Sequence, residues 1–242
     1  MDHTIVTNQI TGWIKEKIET APAKGIVIGL SGGIDSSVTA ALCTRATPNV
    51  LGLIMPCESN PADKEFALRV ARLFSIKTIE VNLNRPLYAM LDATGTNTRE
   101  TAGPNNIPVA NLKARLRMTT LYYHANKNNY LVAGSGDRSE FQVGYFTKYG
   151  DGGADIFPVG NLLKTEVQEL GIYLNVPREI CEKAPSAGLW SGQLSEVERG
   201  LSYKDIDEYL KTGEGSSEIK QRYEYLHNIS QHKRALPPVP EF

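Results

Sequence analysis

Cysteine is scarce in this 242-residue chain: Cys43, Cys57 and Cys181 are odd in number, widely spaced and form no C-x-x-C pair. That excludes a disulfide framework and a thiolate zinc site, and it suits reduced cytosolic thiols. The four histidines, His3, His124, His227 and His232, do not cluster either. Cys57 follows an apolar run but has no identifiable partner base, so a cysteine nucleophile is not expected. No sign of charge dominates, with 26 basic against 27 acidic side chains, so the field that nucleic acid or an anionic membrane needs is missing. Small ligands are the expected partners. No apolar run approaches the ~18 residues of a membrane span, and no basic region precedes an apolar stretch at the N-terminus. The expectation is a soluble, cytoplasmic protein. Two common nucleotide-binding strings are also absent, since neither G-x-x-x-x-G-K-[ST] nor G-x-G-x-x-G occurs.

What is present is organised around Gly25-Ile26-Val27-Ile28-Gly29-Leu30-Ser31-Gly32-Gly33-Ile34-Asp35-Ser36-Ser37, which runs on into Val38-Thr39-Ala40-Ala41-Leu42. A buried parallel strand needs a continuous apolar run and the next helix a polar first turn, so this stretch predicts strand, loop, helix. Unpaired N–H groups at such a helix start, with glycines that allow close approach, suit a phosphate. Asp35 would repel that phosphate unless a divalent cation lay between them, so it is read as a magnesium ligand. A plain capped turn would carry the same residues without any ligand.

The rest of the chain alternates. An amphipathic helix is expected over 5–20, with Ile5, Val6, Ile10, Trp13, Ile14 and Ile18 on its apolar side. Strands are expected at 50–55, 76–81 and 130–133, and helices at 61–74, 85–93 and 108–128. The polar run 94–106 reads as a mobile loop. This alternation predicts an α/β fold with a doubly wound, mostly parallel sheet and helices on both faces, in a single domain over 1–242. Lys113 and Arg117 share a helix face, which fits either an anionic partner or a solvated charged surface.

A second Gly/Ser turn, Gly134-Ser135-Gly136-Asp137-Arg138-Ser139-Glu140, follows the strand at 130–133, and the two strand ends can converge on one crevice. Glu140 would then face Asp35 across a metal. Aromatics, Lys148 and two carboxylates are interleaved with glycines in Gly144-Tyr145-Phe146-Thr147-Lys148-Tyr149-Gly150-Asp151-Gly152-Gly153-Ala154-Asp155. The combination suits a planar ring and a phosphate, although a Gly-rich surface loop would look alike. A helix is expected from Asn161 to about Leu174, and Lys164 sits near its start, where a cation opposes the helix dipole unless it reaches a phosphate. Residues 184–193 read as a lid around one exposed tryptophan, Trp190. Helices over about 202–210 and 216–231 lead to His232-Lys233-Arg234 and a proline-rich tail.

Ser31-Gly32-Gly33-Ile34-Asp35-Ser36 resembles the S-G-G-x-D-S pyrophosphate loop of the ATP pyrophosphatase group. The segments Asn111 to Arg117, Tyr145 to Gly153, Lys183 to Trp190 and His232-Lys233 resemble the ammonia-dependent NAD synthetase family across nearly the whole chain. The resemblance implies a Rossmann-like fold of ATP pyrophosphatase type. It also implies that ATP and Mg²⁺ activate the nicotinate carboxylate of deamido-NAD as an acyl adenylate, which ammonia converts to NAD and AMP. By this resemblance Gly29, Leu30, Ser31, Gly32, Gly33, Ile34, Asp35, Ser36, Ser135, Lys164 and Ser186 contact ATP, while Asp35 and Glu140 hold the metal. Arg115, Lys148, Asp155, His232 and Lys233 would contact deamido-NAD, and Asp151 would lie near the ammonia; Asp35, Asp151 and Lys164 carry the catalysis. A homodimer sharing the deamido-NAD site is implied too. Leu194-Ser195 replaces the Thr-Asp of the family's G-Q-T-D-E, and Pro56-Cys57 stands where some members place an arginine for ATP. Little chain precedes the first strand, so ammonia rather than a glutaminase domain is the expected nitrogen source. Rival readings are a GMP synthetase-like or tRNA-thiolating ATP pyrophosphatase, or a non-catalytic adenine-nucleotide-binding module.

Overall fold

The computed structural model describes residues 1–96 and 102–241. The apolar runs become four strands, β1 (Ile26–Gly29), β2 (Val50–Ile54), β3 (Lys77–Glu80) and β4 (Leu131–Ala133), in one sheet of order β3-β2-β1-β4. Every pairing is parallel: Ile26 lies opposite both Val50 and Leu131, and Leu51 lies opposite Lys77. Parallel strands need long crossovers, which helices supply. After α1 (His3–Thr20) these are α2 (Ile34–Ala46), α3 (Pro61–Leu73), α4 (Asn84–Ala93) and α5 (Ile107–Asn128). The expected doubly wound α/β fold is the one observed.

Side chains alternate across the strands and so divide the interior in two. Ile26, Ile28, Val50 and Ile54 face α1, α2, α3 and the later α7 (Lys164–Tyr173), whereas Val27, Leu51, Leu53 and Val132 face α4 and α5. The remaining elements are α6 (Arg138–Gln142), α8 (Arg178–Cys181), α9 (Ser195–Arg199), α10 (Tyr203–Thr212), α11 (Ser217–Ile229) and a 3₁₀ turn at Gln231–Lys233. Val143, Leu201, Ile206 and Tyr223 form a third, smaller cluster that fastens α10 and α11 to the end of α6. No described helix is long and apolar enough to cross a membrane.

Several expectations shift in detail. On α1 the buried positions are Thr7, Ile14 and Ile18, while Ile5 and Trp13 face solvent, because the contact with α2 is narrower than the apolar stripe. Trp190 is half-buried against the α4–α5 cluster rather than exposed. Asn161 to Leu163 stay outside α7, and the turn after β4 contains a short helix, α6, instead of a plain loop. Of the run expected to be mobile, residues 97–101 lie outside the described residues.

Strand order decides where a ligand can enter. The chain steps outward from β1 to β2 and β3, then returns to the other side of β1 as β4, so the loops after β1 and β4 leave in opposite directions. In an open sheet of this kind a ligand is expected to bind between them, outside the strand C-termini.

Candidate active site

The loop after β1 is shaped by its backbone. Leu30 extends the ladder by donating its N–H to the Leu53 carbonyl, and its side chain and that of Ile34 are buried in the core. Only the main chain of these two can therefore meet a nucleotide. Gly32 has a φ of +78°, and a Cβ there would lie 2.3 Å from the Asp63 carbonyl oxygen. Hydroxyls brace the turn: Ser31 Oγ and Ser36 Oγ are 2.9 Å apart, and Ser37 Oγ donates to the Gly33 carbonyl at 2.7 Å. Gly32→Ala is expected to cost about 1–3 kcal/mol from the left-handed φ alone. A lower melting temperature with weakened ATP binding, read by calorimetry, would bear this out, and an unchanged melting temperature would not.

Beside this loop, one ammonium meets three carboxylates. Lys164 Nζ lies 2.8 Å from Asp35 Oδ2, 2.9 Å from Asp137 Oδ2 and 2.9 Å from Glu140 Oε1. Lys164 is 1% exposed and Asp137 fully buried. Sequence reasoning sent Lys164 toward a phosphate and placed Glu140 opposite Asp35; in the structure the lysine stands between the two. Burial works against its charge, but Asp137, Asp35 and Glu140 outweigh that and hold its proton well above the ordinary lysine range. Desolvation raises the Asp35 and Asp137 carboxyls above theirs, with Lys164 pulling the other way.

Local rules place these groups. Asp137 caps α6 by accepting the Glu140 N–H at 2.8 Å, and the Glu140 carboxylate turns back toward the Asp137 N–H in a capping box. Asp137 is the site residue that sequence reasoning missed, although its spacing to Glu140 spells that box. Asp207, buried on α10, accepts from Ser139 Oγ and from the Thr165 N–H at 2.8 Å, which fixes α6 against the start of α7. Tyr203 donates its hydroxyl to Glu140 Oε1 at 3.0 Å.

Mg²⁺ suits this donor set. Three carboxylates against one ammonium leave an excess of negative charge, and Asp35 Oδ1 is buried with no hydrogen-bond partner among the described residues. Among the described residues no three His, Cys, Asp or Glu side chains form a ready metal cage.

The other wall is built by α5. Lys113 is neither solvated nor free: it pairs with Glu58 Oε2 at 2.7 Å and donates to the Leu189 carbonyl at 3.0 Å. Arg117 donates to the Met55 carbonyl and to Ser59 Oγ, so α5 brings an arginine to the segment after β2, where the sequence itself has Pro56-Cys57. The solvated-face reading of this pair is thereby corrected. The segment expected to be a lid is seated, since Leu189 N–H donates to Gln193 Oε1 at 2.9 Å and Ser195 N–H to the Pro185 carbonyl at 3.1 Å. Ser186 lies exposed in this segment, and Ser135 sits half-buried just after β4. The Cys57 thiol is buried and raised by desolvation, which suits no nucleophile.

Arg115, Lys148, His232 and Lys233 come together around the 144–148 loop. Arg115 donates to the Lys148 carbonyl, Lys148 Nζ to the His232 carbonyl at 2.8 Å, and Lys233 Nζ to the Gly144 and Phe146 carbonyls at 2.9 and 2.8 Å. Asp151 accepts the Thr147 N–H at 2.8 Å in the same loop. Asp155 stands apart beside β4, taking the Val132 N–H at 2.7 Å and the Tyr122 hydroxyl at 3.0 Å. Of His232, Lys233 and Arg234 it is Arg234 that reaches the end of α11, donating to the His227 carbonyl and Ser230 Oγ. If Lys233 contacts deamido-NAD, as the sequence resemblance implies, Lys233→Ala is expected to raise KM for deamido-NAD roughly tenfold, leave that for ATP in place, and lower the melting temperature by loosening the loop. Unchanged KM values would reduce Lys233 to a loop brace.

Residues 6–237 match the family model described as NAD synthase. The chain is 51% identical to an NH(3)-dependent NAD(+) synthetase of Carboxydothermus hydrogenoformans, over 97% of this chain and 96% of that protein. Among solved structures, it resembles the NMN synthetase of Francisella tularensis, with a TM-score of 0.94, 38% identity and full coverage of both chains. It also resembles the NH3-dependent NAD synthetase of Campylobacter jejuni, solved with a nitrate ion, with a TM-score of 0.83, 30% identity and full coverage of both.

Proposed function

This chain belongs to the NAD synthase family, and we propose that it amidates deamido-NAD with ammonia at the expense of ATP. In the first step a carboxylate oxygen of the nicotinate ring bonds to the α-phosphorus of ATP and pyrophosphate leaves. In the second, ammonia attacks the acyl carbon, a proton is lost, and AMP departs with that oxygen. The observation that carries this reading is the box of Lys164, Asp35, Asp137 and Glu140 beside the Ser31–Ser36 loop.

Positioning and charge do the work. The main chain of Gly29 to Ser36, with Ser135 and Ser186, binds ATP, and the Lys164 ammonium faces its phosphates. Asp35 and Glu140 would hold Mg²⁺, which when bound takes up charge on the departing pyrophosphate. Arg115, Lys148, Asp155, His232 and Lys233 bind deamido-NAD, and Asp151 receives ammonia. One domain carries both half-reactions, in a cytoplasmic homodimer that shares the deamido-NAD site.

A second reading has one observation behind it: the TM-score is higher for the NMN synthetase than for the NAD synthetase. In that case the acid mononucleotide is the substrate. Supplying ATP, Mg²⁺ and ammonium with either acid substrate, and separating the products, distinguishes the two. NAD and AMP in equal amounts are expected from deamido-NAD. Preferential formation of NMN would favour the alternative, and no AMP from either substrate would overturn both.

A further inference from the structure

Arg199, the last residue of α9, is buried at 3% exposure, and among the described residues none of its guanidinium nitrogens makes a hydrogen bond of good geometry, the Tyr203 side chain being the nearest approach to one. Its guanidinium packs between two rings: Cζ lies 3.9 Å from the centre of the Tyr203 ring and 4.6 Å from that of Tyr145. Cation–π contact offsets part of the desolvation, but a buried charge so poorly hydrogen-bonded weakens a fold relative to an apolar group of similar volume. A role other than stability is therefore the place to look for its use.

Each ring leads somewhere. Tyr203 donates to Glu140 Oε1 at 3.0 Å, and its ring lies 4.7 Å from Lys164 Nζ. Tyr145 donates at 2.9 Å to Glu198 Oε2, which also accepts from Gln193 Nε2 at 3.0 Å. Gln193 Oε1 in turn takes the Leu189 N–H, and the Leu189 carbonyl takes Lys113 Nζ. Arg199 is the shared contact between a string that ends in the 184–195 segment and one that ends in the carboxylate box.

We propose that Arg199 is a positioning residue whose guanidinium, held between Tyr145 and Tyr203, ties the seating of residues 184–195 to the placement of Glu140 beside Lys164. Its kinetic consequence rests on the amidation reading above; the coupling itself does not.

Arg199→Met fills the slot with an unbranched apolar chain that suits aromatic neighbours. The expected result is a melting temperature at or above that of the unaltered protein together with a kcat lowered roughly tenfold at unchanged KM for ATP. Arg199→Lys keeps a cation between the rings and is expected to recover part of the loss. Combining Arg199→Met with Tyr203→Phe is expected to cost no more than the worse single change, since both act through one string. A readout free of turnover uses Trp190: in a Trp13→Phe background it is the only tryptophan, and its emission on adding ATP and Mg²⁺ should change less with Arg199→Met. Unchanged kcat with an unchanged Trp190 response, a lower melting temperature with kcat intact, or additive losses in the double variant would each overturn the proposal. If the unaltered protein turns over neither acid substrate, the amidation reading fails, and the Trp190 and melting measurements still decide this one.

Discussion

Lys164→Met is expected to destabilise the fold and abolish most activity, with a stability loss that grows with pH. The ammonium is 1% exposed and is the one cation within ion-pair distance of Asp35, Asp137 and Glu140 among the described residues. Removing one partner of a buried ion pair costs about 3–5 kcal/mol, because the other is left uncompensated. For a chain of this size that corresponds to roughly 10 °C in melting temperature. Desolvation already raises the Asp35 and Asp137 carboxyls, and without Lys164 they rise further. The folded state then binds more protons than the unfolded one, so stability falls as pH rises through the raised folded values. The deficit is smallest toward the unfolded carboxyl pKa near ~4 and largest at alkaline pH. Melting curves of both proteins at pH 5.5 and pH 8 measure it. A pH-independent deficit would mean that the carboxylates do not depend on Lys164. Activity should fall by ~10² to 10³, the usual loss for one preorganised electrostatic donor.

Asp35→Asn and Glu140→Gln are expected to behave in the opposite way toward stability. Each leaves two carboxylates facing Lys164 instead of three and removes a charge that burial disfavours, so the melting temperature should hold or rise slightly. Each also removes a proposed Mg²⁺ ligand, and kcat should drop by ~10² or more at saturating Mg²⁺. Near-normal rates in both variants would favour the reading as a non-catalytic nucleotide-binding module. Loss of stability in Lys164→Met beside its retention in the two carboxylate variants separates the structural work of the box from its chemistry.

Most of the fold was legible because apolar runs bounded by Gly and Pro are what a buried parallel sheet needs, and Ile26 to Gly29 and Val50 to Ile54 are such runs. The convergence of Asp35 and Glu140 followed from placing Gly/Ser turns after two strands. What the sequence could not reveal was partnership over long range. The misfit of Lys164 with its helix dipole was visible, but that three carboxylates from two other elements compensate it depends on the tertiary packing of α2 and α6 on α7. Whether Lys113 and Arg117 meet a partner or water stayed open for the same reason, since their partners Glu58, Met55, Ser59 and Leu189 are brought in from other parts of the chain. Arg199 gave no sequence signal at all, as nothing in its spacing separates a surface arginine from one enclosed by Tyr145 and Tyr203.

Adenylation of deamido-NAD at the carboxylate box, as proposed, leaves an isotopic signature. Deamido-NAD labelled with ¹⁸O in both carboxylate oxygens, turned over with ATP, Mg²⁺ and ammonium, tests it in one mass spectrum. Adenylation transfers one carboxylate oxygen to the phosphate, so AMP should carry a single ¹⁸O and the amide of NAD should keep the other. Unlabelled AMP, or ADP and phosphate in its place, would contradict the account.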